Sequence, residues 1–182
     1  LAIDREVLEN NIVRGGAIPV YAYAGGFDPT YNGPVIAEAS MSQAERNALA
    51  QELYAAAGYS ADNPLSLNIV TTVSEDSTRR AQGIALMWKQ VLGVNAVVEP
   101  VERKAWLDAF YAGTWESPEF EAAMDVAAAL PDRPSRNEAL AAAERILLDA
   151  YLFAPVAIVP SRHLVNPALK GWATSVAGYN NS

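Results

Sequence analysis

AGYSADNPLSLNIVTTVSEDSTRRAQGIALMWKQVLGVNAVVEPV, residues 57–101, carries the reading from which the fold follows. Gly58 supplies a left-handed stop for a preceding helix. Asn63-Pro64 turns the chain into Leu65-Ser-Leu67-Asn-Ile69-Val, whose period-2 alternation predicts a strand. Ser74 to Asp76 opens a long amphipathic helix, with acidic residues beside its positive end. Its apolar stripe holds Ile84, Met87, Trp88 and Val91, and Gly93 closes it. Val94 to Val101 is a β-branched second strand. A strand, a helix and a strand in succession form an α/β unit.

Outward from this block the pattern stays helical. Ala2 to about Arg14 is expected as a helix with Ile3, Val7, Leu8 and Ile12 on one face, ended by Gly15-Gly16. Ala17 to Ala39 is rich in Gly, Pro and Tyr and reads as a long irregular loop, a kind of segment that is often functional. Ser42 and Glu45 make a capping-box pattern for a helix running to Ala57. A short helix is expected from Arg103 to Tyr111. Another begins at Ser117-Pro118-Glu119 and stops before Pro131. Ser135 and Glu138 suggest a further capping box, opening a helix to Ala150 with Leu140, Ala143, Ile146 and Leu147 inward. Pro155 to Val159 and Arg162 to Val165 read as short strands, and Gly171 to Ser182 as an aperiodic tail. The fold class is α/β, in detail α+β: a small mixed sheet flanked by helices.

Composition narrows the function. The 182 residues are 51% hydrophobic and suit one domain, or one lobe of a larger protein, with a sizeable core. The net charge of −8 repels phosphate backbones and anionic lipid, which argues against nucleic-acid and membrane-surface roles. No cysteine is present, so disulfides, thiolate catalysis and Cys-ligated zinc are excluded. No apolar run is long enough to span a bilayer. The chain opens inside a helical pattern, LAIDREVLENNI, which reads as a fragment boundary.

Catalysis has little to stand on. His163 is the single histidine, without a second histidine for a metal site or an evident triad around it. Glu75-Asp76 and Glu119/Glu121/Asp125 sit where helix N-termini favour carboxylates, and no calcium-loop spacing accompanies them. The glycine pairs match neither the dinucleotide fingerprint nor the phosphate loop. Arg79-Arg80 reads as a solvated basic step on a helix. No enzyme activity, cofactor or metal is expected.

Six segments, in order, resemble the extracellular solute-binding proteins of family 5, the dipeptide- and oligopeptide-binding proteins that feed ABC importers. They are AIDRE at the start, GGAIPVYAY, ELYAAAGY (52–59), MWKQVLGVNAVVEPVE, the run from Ser117 (SPEFEAAMDVAAALPDRPSRNEALAAAERILLDAYLFAPVAIV), and HLVNPALKGW. The resemblance implies the distal lobe of a periplasmic-binding-protein-like fold, residues 1–182 as a single domain of a larger two-lobed receptor. It implies a non-catalytic peptide- or small-solute-binding role, periplasmic or extracellular, with lipid anchoring open for the full-length protein.

It also implies which residues face a ligand: Tyr21 and Tyr23 in the loop that approaches the cleft, and Arg103 and Trp106 in the region that gives an aromatic wall. Loop packing is their structural alternative, and Trp88 and Trp172 read as core. Two departures bear on function. Near Thr114–Glu116 the chain lacks a family segment whose acidic residue holds the ligand's amino group. Natural deletion, deliberate excision or a gap in the sequence would each produce this, and Trp115 would plug the place. The proximal lobe is also missing, so weak or no ligand affinity is expected of the chain alone.

The implied partners are a peptide or small polar solute, the proximal lobe and the ABC transporter permease, with no nucleic acid and no membrane insertion. An apolar patch of Tyr21, Tyr23, Phe27, Tyr31 and Trp106 would favour weak self-association. The competing class is a truncated, stand-alone lobe serving as a scaffold or interaction module with no solute. A signal peptide and preceding lobe in the complete reading frame would mark the receptor, and a start codon near Leu1 the scaffold. A hydrolase would need a partner for His163.

Overall fold

In the computed structural model the described residues are 1–24, 30–112, 115–159, 166, 168 and 170. They fall into two compact units: Leu1–Pro19 with Ala37–Ser117, and Val20–Ile36 with Pro118–Ser182. The predicted strand at 162–165, the tail, His163, Phe27 and Trp172 lie outside the described residues.

The first unit begins with a π-helix, Val7–Val13, rather than the α-helix the apolar spacing predicts. Arg14 N donates to Glu9 O at 2.8 Å, an i→i+5 bond. The wider turn stacks Val13 over Leu8, five residues back, and both are buried together with Glu9. Arg14 itself takes the left-handed cap at φ 57°, so the stop expected of Gly15-Gly16 comes one residue earlier. A two-residue strand, β1 (Ile18–Pro19), follows. Helix α1 (Gln43–Ala56) opens on the full capping box of Ser42 and Glu45, and Gly58 just beyond it sits at φ +86°.

The decisive block folds as read. β2 (Ser66–Thr72) and β3 (Asn95–Val101) pair in parallel, Ser66 opposite Asn95 and Thr72 opposite Val101. Between them runs α2 (Glu75–Leu92), capped by Ser74 and closed by Gly93 at φ +77°. Parallel strands need a crossover, and the helix supplies it. Of the predicted stripe only Met87 is buried; Ile84, Trp88 and Val91 are half-buried. Ala81 and Gly83 form the tighter seam. A Cβ at Gly83 would lie 2.5 Å from Leu8 Cδ1 and 3.3 Å from Ile12 Cγ2, so this glycine lets the π-helix approach α2. Helix α3 (Arg103–Ala112) then packs against β2.

The reading of Arg79-Arg80 as solvated is corrected. Arg80 grips the fully buried Glu9 carboxylate with a fork: Nε to Oε1 at 2.6 Å and Nη2 to Oε2 at 2.8 Å. This hydrogen bonding holds the guanidinium pKa above its usual range against the opposing cost of burial. Arg79 donates to Val13 O at 3.1 Å and pairs with Glu75 one turn earlier. Two basic side chains of α2 thus tie down the N-terminal helix.

The second unit holds α4 (Pro118–Ala129) and α5 (Arg133–Asp149), packed on each other, and β4 (Ala157–Ile158), shorter than the predicted strand. The cap of α5 is also corrected. Asp132, not Ser135, is the N-cap, accepting from Ser135 N at 2.9 Å. Pro134 in the first turn needs no hydrogen-bond acceptor there, so the helix starts earlier than the Ser-x-x-Glu pattern suggests. Ala143, Glu144 and Leu148 are the buried face of α5; Leu140, Ile146 and Leu147 are half-buried.

Truncating Arg80 to Ala strands the Glu9 carboxylate without its fork. Such a loss costs roughly 3–5 kcal/mol, whereas an apolar replacement of both partners recovers much of it. Urea unfolding of Arg80→Ala beside the double variant Glu9→Leu/Arg80→Met is expected to show that order.

Candidate functional site

The most organised polar centre of the second unit is a residue the sequence reading passed over. Glu144 lies on the apolar face of α5 and is only 4% exposed. A buried carboxylate needs donors, and the loop 20–36 provides them. Tyr23 N and Ala24 N both donate to Oε1, at 2.8 and 3.0 Å. The Tyr31 hydroxyl donates to Oε2. Gly33 closes the arrangement, since a Cβ there would strike the Tyr31 ring and lie 2.7 Å from Glu144 Oε2. Asn137, two turns before Glu144, adds Nδ2 bonds to Thr30 O and Oγ1 at 3.4 and 3.3 Å. The irregular loop is therefore pinned to α5 at several points.

Beside this anchor an apolar recess of about 360 Å³ opens between α4, α5 and the loop. Phe120, Met124, Leu140 and Leu147 form its walls, and Tyr23 and Tyr31 its loop side. The Tyr23 ring, half exposed, packs on Phe153 with centroids 5.3 Å apart. Tyr21 is half-buried and its carbonyl accepts from Ile36 N at 2.9 Å. Of the two loop tyrosines read as ligand-facing, only Tyr23 lines the recess.

Arg103 and Trp106 belong to the first unit. They share a second recess, about 310 Å³, with Thr72 and Val73 at the end of β2 and with Glu102. Trp106 stacks on Phe110, centroids 5.4 Å apart and rings 17° from parallel, one helical turn on. Lys104 and Asp108 pair at 2.7 Å on the outer side of α3. Arg103 and Trp106 are thus brought together, and the two tyrosines lie in the other unit. Trp115 is partly exposed, and Gly113 and Thr114 lie outside the described residues. Among the described residues no group of three His, Cys, Asp or Glu side chains is placed to hold a metal ion, and no helix is long and apolar enough to cross a membrane.

One sign pointed to Glu144 in advance: it interrupts an otherwise apolar stripe, next to Ala143 and four residues after Leu140. A carboxylate in such a stripe demands a partner from elsewhere in the chain. Burial first, then the bond to Glu144 and the carboxylate's charge, push the Tyr31 phenol well above its usual pKa.

The unfolded phenol ionises near pH 10 while the folded one stays protonated. The stability it contributes is complete below that pH and is lost as pH rises towards the higher folded value. Urea midpoints measured from about pH 8 to 10.5 are expected to fall more steeply in the wild type than in Tyr31→Phe. At neutral pH the variant is less stable by roughly 1.5–3 kcal/mol, the worth of a hydrogen bond to a charged group.

Known proteins resemble this chain along most of its length. Residues 1–140 match the family described as bacterial extracellular solute-binding proteins, family 5 Middle. The periplasmic oligopeptide-binding protein OppA of Salmonella typhimurium is 34% identical over 119 residues, 64% of this chain and 21% of that protein. The periplasmic murein peptide-binding protein MppA of Escherichia coli is 26% identical over 208 residues, 94% of this chain and 38% of that protein. Haemophilus influenzae OppA, solved in complex with RPPGFSPFR, superposes with a TM-score of 0.74 at 26% identity, over 86% of this chain and 37% of that one. The chain thus spans well under half the length of these relatives. The α/β architecture, helices with a small sheet, is that of the periplasmic-binding-protein-like structures. The chain belongs to family 5 of the bacterial extracellular solute-binding proteins, a family of binding proteins and not of enzymes.

Proposed function

We propose that residues 1–182 act as one domain, the distal lobe of a peptide or small-solute receptor that serves an ABC importer. The observation that carries this reading is the family match over residues 1–140, joined to the likeness to an OppA solved with a peptide. The relatives' names place them in the periplasm, which supports an exported protein, periplasmic or extracellular. Its partners are a peptide or small polar solute, the proximal lobe and the transporter permease. Tyr21, Tyr23, Arg103 and Trp106 are the side chains assigned to the solute.

An internal shortening near Thr114–Glu116 belongs to this reading. The matches to MppA and to Haemophilus OppA extend over 208 and 212 residues, more than the 182 this chain has to fill them. Relatives therefore carry additional residues within the matched stretch.

Affinity follows from geometry. A receptor that closes two lobes buries its ligand on both sides, at about 25 cal/mol per Å² of apolar surface. One lobe buries one side, yet still meets the several-kcal/mol cost of association. The chain alone is expected to bind short peptides at millimolar strength or weaker.

Titration calorimetry with a panel of short peptides, paired with amide NMR shifts at millimolar peptide, checks both parts. Expected are no calorimetric heat of tight binding and small shifts centred on Tyr21, Tyr23, Arg103 and Trp106. Micromolar binding overturns the one-lobe argument, and shifts centred elsewhere overturn the residue assignment.

A further inference from the structure

The β2–β3 ladder has a defined phase. Asn95 N donates to Leu65 O at 2.8 Å, and Val73 N donates to Val101 O at 3.1 Å. In a parallel pair, one residue turns both its peptide groups to the partner strand and the next turns them away. Leu67, Ile69 and Thr71 therefore face β3 with their backbone, and Ser66, Asn68, Val70 and Thr72 point theirs to the opposite edge. On β3 the outward positions are Ala96, Val98 and Pro100.

The two edges differ in chemistry. Pro100 has no N–H, so the outer edge of β3 lacks the last of its three outward donors. β2 has no such protection. Ser66–Thr72, SLNIVTT, holds no proline and no charged side chain, the devices that usually keep an edge from pairing. Val70 is 37% exposed beside it. Helix α3 packs back against β2, the path by which a right-handed crossover lays its next strand alongside. Yet Trp115–Ser117, the described residues after α3, form no strand. Among the described residues no strand pairs with the outer edge of β2; at its end the Thr72 carbonyl accepts from Ser74 N at 2.8 Å and keeps its second lone pair for a further donor.

We propose that the outer edge of β2 is a self-pairing surface, on which β2 of a second copy of this chain docks antiparallel about a twofold axis. Asn68 then faces Val70 across the axis and Ser66 faces Thr72. Every outward N–H between Ser66 and Thr72 gains an acceptor, and the two-stranded sheets merge into one of four strands. An antiparallel edge is self-complementary, as a twofold interface requires. Charge selects the place: a chain of net charge −8 repels its own copy, and SLNIVTT is an uncharged strip. Glu99, on the far strand, accepts from Asn68 Nδ2 at 3.5 Å. A second copy also brings a preformed strand, whereas a free peptide must first be ordered. The proposal rests on strand register and is independent of the solute reading; peptide titrations that fail leave it standing.

Sedimentation of the purified chain over a wide concentration range is expected to show a monomer–dimer equilibrium. The double variant Asn68→Lys/Val70→Lys sets lysine against lysine across the axis while leaving the buried face of the sheet intact. It is expected to weaken the dimer by roughly tenfold or more. Val97→Lys, on the same exposed face but on β3, is expected to leave it unchanged. Amide exchange at Ser66, Asn68, Val70 and Thr72 is expected to slow as concentration rises.

A monomer at every concentration overturns the proposal, as does a dimer indifferent to the double variant or equally sensitive to Val97→Lys. If the double variant does not fold, the exchange measurement on the wild type decides. Slowing at these amides supports the edge, and its absence overturns it.

Discussion

A carboxylate taken out of water must be met by donors, and each unit of this chain is organised around one. Glu9 is fully buried and held by the Arg80 fork. Glu144 is held by two backbone N–H groups and a phenol. Exchanging Arg80 for a shorter or apolar side chain strands the Glu9 charge, whereas exchanging Tyr31 leaves Glu144 its two backbone donors and removes one hydrogen bond. The surrounding geometry answers to them. The π-turn brings Glu9 inward beside Leu8 and Val13, Gly83 lets that helix come close, and Gly33 leaves room for Tyr31 over Glu144. Tyr23, Ala24 and Tyr31, in the irregular part of the chain, are held by one of these fixed points.

This division explains what could be read in the residues and what could not. Ser42 with Glu45, Gly58, Ser74 and Gly93 act over one turn of chain, and each sits where its local chemistry places it. The alternation of Leu65 to Val70 and the β-branched run to Val101 likewise declare their strands within a few residues. The Glu9–Arg80 and Glu144–Tyr23 bonds join positions 71 and 121 residues apart, and no local pattern contains both ends. The missed cap at Asp132 has a different cause. Asp132 stands three residues before Ser135, and Pro134, acceptable in a first turn, lets the helix begin there.

The candidate site was legible in a weaker sense. No period or spacing marks Tyr21, Tyr23, Arg103 or Trp106; they enter through family resemblance alone. The structure adds that Arg103 and Trp106 share a recess with the end of β2, and that Tyr23 borders an apolar recess floored by Glu144. Both recesses are open, and the polar atoms of Glu144 are already engaged.

The second unit is assembled from two stretches of chain with most of the first unit encoded between them. During synthesis the N-terminal stretch leaves the ribosome well before α5 exists. Tyr23, Ala24 and Tyr31 must then wait, unanchored, for a carboxylate 121 residues downstream of Tyr23. The strand–helix–strand block meets no such delay, because its contacts are local in sequence. A nascent chain halted before Glu144 would thus present the block folded and the tyrosine loop still open to chaperones and proteases.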